Sequence, residues 1–115
     1  MRLLVHSATG PENSTRAALA LLVARTAVDE GHEVRVFLAG DAVHLARGET
    51  AAAVIGVGTG AVAEHLAALG SAGVTLHLSG QSSKARGIEA PDGMQLSPPA
   101  TLIELVEWAD KTLTY

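Results

Sequence analysis

Cysteine is absent from the 115 residues, which excludes disulfides, thiolate metal sites, thiol nucleophiles and persulfide carriage within this chain. Aromatic residues are nearly as scarce, with one Trp, one Tyr and one Phe. A core must therefore be assembled from Ala, Val, Leu and Ile, whose small volumes suit helices packed closely on a sheet. Positive charge is in deficit, since 8 Lys and Arg against 12 Asp and Glu leave a formal charge of −4. Attachment to phosphate backbones depends on clustered Lys and Arg, so no nucleic-acid partner is expected. No run approaches the ~20 apolar residues of a membrane span. The opening "MRLLVH" lacks the charged start, apolar stretch and small-residue cleavage site of a secretory signal. The expectation is a cytoplasmic protein with no membrane association.

The length fits one domain, residues 1–115, because a single core of this size buries roughly two-thirds of the surface exposed on unfolding. No repeat or interdomain linker interrupts it. "RLLVH" is a short apolar strand ended by "SATGPENS", whose Gly10, Pro11, Asn13 and Ser14 are loop and helix-start residues. Ala17, Leu21, Ala24 and Val28, widened by Ala18 and Leu22, recur at helical spacing up to the stop at Gly31. In "EVRVFLAG" Val34, Val36 and Leu38 alternate with Phe37, as in a strand covered on both faces. "DAVHLARG" reads as a short helix opened by Asp41 and closed by Gly48, and "ETAAAVIGVGTG" has no assignable period.

Val62, Leu66 and Leu69 mark another helix before Gly70 and Gly73, and "VTLHLSG" the next strand. Met94 to Leu96 form a brief strand. Pro98 and Pro99 then open a helix bearing Leu102, Leu105, Val106 and Ala109, and "TLTY" closes the chain as a terminal strand. Strands alternating with helices predict a parallel sheet between helical layers, joined by right-handed crossovers.

Four segments in order, "TGPENSTRAALAL", "GHEVRVFLAGDAVHL", "AGVTLHLSGQSSKARGI" and "LIELVEWADKTLTY", resemble the DsrE/DsrF/TusD-like family, small α/β proteins that include sulfur-relay subunits. The resemblance implies a three-layer α/β/α domain with a mainly parallel, five-stranded sheet (the DsrEFH-like fold). It also implies assembly into homo-oligomers, trimers or hexamers, or with related protein subunits. Sulfur-handling members carry one or two cysteines in a "CGxC…RG"-like loop. Ser79 and Ser82 align with those positions here, and Arg86 and Gly87 retain the Arg-Gly. A serine cannot form the cysteine persulfide. Nor does the loop contain a Gly-x-Ser-x-Gly elbow or a Ser-x-x-Lys pair to activate a serine nucleophile.

The loops at the C-terminal ends of parallel strands share one edge, which brings Asn13, Asp41 and His44 toward Ser79, Gln81, Ser82, Lys84 and Arg86. In one reading Ser82 or Ser83 starts a short helix whose N–H groups, with Lys84 and Arg86, take a small anionic ligand. In the other this is a serine-capped turn with two solvated cations. Gly56, Gly58 and Ala61 satisfy a relaxed dinucleotide pattern, but no acidic residue ends the next strand to hold a ribose. His6, His32, His44, His65 and His77 lack metal-ligand spacing, with His6 placed at the end of the first strand and His77 on a strand face. Asp41, Glu12 and Glu89 are carboxylates without a defined separation, Asp41 serving first as a helix cap. Most of the last helix's stripe is assigned to the core, with Trp108 as an interface probe.

The functional expectation is an oligomeric non-thiol protein, related to sulfur-relay subunits, that binds a ligand or supports an assembly. The alternatives are a sulfur-transfer component or enzyme using a partner chain's thiol, and a purely structural assembly protein. No cofactor, metal or catalytic residue is assigned.

Overall fold

The computed structural model describes residues 1–115. In chain order it contains β1 (Arg2–Ser7), α1 (Ser14–Asp29), β2 (Glu33–Leu38), α2 (Gly48–Ala53), β3 (Ile55–Gly56), β4 (Gly60–Ala61), α3 (Val62–Ser71), β5 (Leu76–Ser79), α4 (Gly80–Arg86), β6 (Met94–Ser97), α5 (Pro99–Trp108) and β7 (Lys111–Thr114). The main sheet has five strands in the order β6-β5-β2-β1-β7. Every pairing within it is parallel.

This order decides which face each helix covers. From β1 through β2 and β5 to β6 the chain always steps the same way, so right-handed crossovers place α1, α3 and α4 on one face. The step from β6 to β7 runs back across the whole sheet and puts α5 alone on the other. The alternation read in β2 is borne out. Val34, Val36 and Leu38 enter a 21-residue core beneath α1 and α3, whereas Phe37 joins Leu4 and Leu105 in a 3-residue core under α5. The first core relies on alanine to bring α1 close, with Ala17, Ala18, Ala20, Ala24 and Ala27 all buried.

Three local expectations are corrected. Residues 40–46 form a 3-10 helix whose cap position is Ala39, so Asp41 lies inside its first turn and caps nothing. Gly48 begins α2 instead of closing the preceding helix, and the unassigned stretch resolves into α2 and the antiparallel β3–β4 pair. The Gly56–Gly58–Ala61 pattern therefore lies in a hairpin, where Gly56 lets the backbone rest on α1 beside Thr15 and Ala18. In α5, Leu105 is buried but Val106 is 46% exposed. The helix turns its Leu102 and Leu105 to the sheet and leaves Ile103 and Val106 outward.

Candidate functional site

The helix after β5 begins at Gly80, two or three residues sooner than a start at Ser82 or Ser83. Ser79 itself is the N-cap of α4, its Oγ accepting the Ser82 N–H at 3.1 Å. The strand thus ends and the helix begins on one residue, and a hydroxyl satisfies an amide that the first helical turn leaves open. Ser82 reaches away from its own helix: its Oγ accepts the Gly40 N–H at 2.9 Å and fastens α4 to the chain leaving β2. Arg86 reinforces the same junction through Nε, 3.1 Å from Asp41 Oδ1, and donates from a terminal nitrogen to the Ser82 carbonyl at 3.2 Å. Gly87 ends the helix in the left-handed region at φ 64°.

The loop after β1 packs on this junction from the other side. A Cβ at Gly10 would collide with the Asp41 carbonyl, so only glycine permits the approach. The Glu12 carboxylate accepts the Gly10 N–H at 2.7 and 3.0 Å. Asn13 caps α1 through Oδ1, which accepts the Arg16 N–H at 3.0 Å.

An open groove of about 730 Å³ lies between this loop, the 3-10 helix and α2, with Glu12, Ser14, Asp41, His44, Glu49 and Thr50 on its walls. Of the eight residues selected for ligand binding, Asp41 and His44 line it, as does Glu12, which was weighed only as a carboxylate. Ser79, Ser82 and Arg86 stand behind it as a clamp, Asn13 is spent on a helix cap, and Gln81 and Lys84 are exposed on α4 without a bonded partner. The eight residues therefore surround one sheet edge without converging on one cavity. The wall is acidic, with Glu12 and Glu49 outside any ion pair and Asp41 paired to Arg86, against His44. Such a surface attracts cations and hydrogen-bond donors more readily than anions. Glu49 and Thr50 were missed because they fall where no periodicity was legible; an acidic residue just after Gly48, suited to a first helical turn, was the available signal.

The histidines divide. His44 is at the groove. His6 and His77 flank Phe37 on the α5 face, with ring centroids 6.0 and 6.2 Å from it. His6 thus stands near the end of β1, as expected, packed against a neighbouring strand's ring, and His77 stands on a strand face as expected. His77 Nδ1 lies 2.8 Å from Ser97 Oγ. Burial pushes both imidazoles below the usual histidine range, and for His77 the Arg35 charge adds to it. His65 contacts the Thr59 carbonyl at 2.7 Å and secures the β3–β4 hairpin. No three His, Asp or Glu side chains gather closely enough to hold a metal ion, and no helix is long and apolar enough to cross a membrane.

A five-stranded parallel sheet between helices, with a serine-capped loop after its third strand, defines a single-domain α/β protein of the three-layer kind. The chain belongs to the DsrE/DsrF-like family, whose profile matches residues 1–115. It is similar to a solved structure described as the crystal structure of the YchN protein from E. coli, at 27% identity, with 100% of both chains covered and a TM-score of 0.81. No curated protein matches it.

Proposed function

We propose that this chain is a non-thiol member of its family that acts by binding at the strand-end groove, as part of a homo-oligomer, and carries no sulfur. One observation bears the reading: both hydroxyls at the family's cysteine positions are committed to backbone amides, Ser79 to Ser82 and Ser82 to Gly40. A nucleophilic serine needs a base within hydrogen-bond reach, and each of these faces an amide donor instead. The loop's role is then to hold Asp41 and His44 in place on the groove wall. The charge of that wall favours a small ligand carrying an ammonium or several donors over the anion expected from Lys84 and Arg86, because Arg86 is already paired with Asp41.

The oligomer is supported by the thin α5 layer. Parallel sheets are normally covered on both faces, and five strands span about 20 Å at ~4.8 Å spacing. A helix of 10 residues is only about 15 Å long and 10 Å wide. Ile103, 67% exposed, and Val106 face outward beside the uncovered strip. A second copy covering this face completes the third layer.

Native mass spectrometry of gently purified protein tests both parts. The expected spectrum is a multimer carrying a small non-covalent adduct that is lost from an Asp41→Asn, His44→Ala variant. A bare monomer in wild type would contradict the proposal.

A further inference from the structure

We infer that the chain carries a second binding site at the opposite edge of the sheet, in the fork where β2 and the segment entering β5 diverge, and that it takes a small monocarboxylate with an apolar tail. The fork is read from hydrogen-bond parity. Glu33 donates to Met1 O and Ala39 to Ser7 O, so odd-numbered amides of β2 point to β1; Val36 donates to Thr75 O at 3.3 Å, so even-numbered amides point to β5. Val34 therefore directs its N–H and C=O toward residues 73–75. No bond is made there, because Gly73 and Val74 turn their own amides back to Gly70 and Leu69 at the end of α3. The Val34 main chain is left unpaired although the residue is only 7% exposed. Buried main-chain donors are nearly always partnered.

A groove of about 350 Å³ occupies this fork. Val28, Val34 and Val74 are among its apolar walls, and Thr75, Arg35, Glu33 and His32 are on its polar rim. Arg35 has no carboxylate partner: the chain's two ion pairs are Arg2–Asp110 and Arg86–Asp41. Its guanidinium lies instead over the Trp108 ring at 4.2 Å from the centroid, which orients the planar donors while leaving its edge open. The carbonyls at the ends of α1 and α3, which reach the same edge and would repel an anion, are capped by the amides of Glu30, Gly31, His32, Ala72, Gly73 and Val74. A carboxylate matches the Val34 amide and the free guanidinium, and an aliphatic tail matches the three valines. Glu33 is the groove's one carboxylate and disfavours multiply charged anions such as phosphate.

The test is an amide-resolved NMR titration of the intact protein with butyrate, with inorganic phosphate and sodium chloride in parallel, followed also by fluorescence of the single Trp. Saturable shifts at Val34 and Thr75 with butyrate, half-complete at least tenfold lower than with phosphate, are expected. Arg35→Gln should raise the butyrate half-point at least tenfold, while Arg35→Lys retains part of the affinity and both variants keep the wild-type core spectrum. Shifts that match chloride, that saturate as readily with phosphate, or that persist unchanged in Arg35→Gln would overturn the assignment. So would an Arg35→Gln core spectrum that is altered while Arg35→Lys binds no butyrate. Because the probed edge is remote from His44, this outcome is independent of the strand-end groove.

Discussion

Ser82 Oγ accepts the Gly40 amide at 2.9 Å across 42 residues of sequence, and Ser79 Oγ accepts the Ser82 amide at 3.1 Å. The two hydroxyls form a chain of bonds from the end of β5 to the end of β2. Ser82→Ala strands the half-buried Gly40 N–H, and Ser79→Ala removes a helix cap; each should cost about 1 kcal/mol in urea unfolding. Their double variant should cost less than the sum, since both act on one network. Strict additivity would show that the bonds are independent and that the loop is not a unit.

Acid should weaken the α5 face first. His6 and His77 are held below their ordinary range by burial, so the unfolded chain binds protons that the native one refuses, and the linkage has a fixed sign. Their stabilising contribution is full above the unfolded value near 6.5 and is lost as pH falls from there toward the depressed native values. The urea midpoint should therefore drop as pH is lowered from 7 toward 5. A His77→Gln variant, which keeps a polar partner for Ser97, should flatten the decline. An equally steep decline in that variant would remove His77 from the account.

The exposed stripe of α5 gives a separate prediction for the assembly. Ile103→Glu combined with Val106→Glu adds charge at outward positions, and surface changes of this kind alter monomer stability by within about 0.5 kcal/mol. Light scattering should show a smaller species with an unchanged far-ultraviolet spectrum. An unaltered mass would place the subunit contact elsewhere.

Much of this architecture was legible because period and punctuation agreed. Ala17, Leu21 and Ala24 announced α1, and Val34, Val36 and Leu38 against Phe37 announced a strand with two buried faces. Residues 49–60 were not legible. A run of alanines and glycines there satisfies helix, hairpin and loop alike, and tertiary contacts decide among them: Thr15 Oγ1 accepts the Val57 N–H at 3.0 Å and Thr59 Oγ1 donates to the Thr15 carbonyl at 3.0 Å. The site failed to resolve for a related reason. Ser79, Ser82 and Arg86 were recognisable by type, but a hydroxyl that caps and one that binds ligand look alike until its partner is known. Arg86 looked like an available cation until its geometry put it on Asp41, 45 residues away.

The most direct measurement asks whether either hydroxyl can react. Intact-mass analysis after treatment with a fluorophosphonate, which labels activated serines, should find the wild-type chain unmodified under conditions that fully label a serine hydrolase control. Stoichiometric labelling mapped to Ser79 or Ser82 would mean that a base activates the loop, and would contradict its assignment as a clamp.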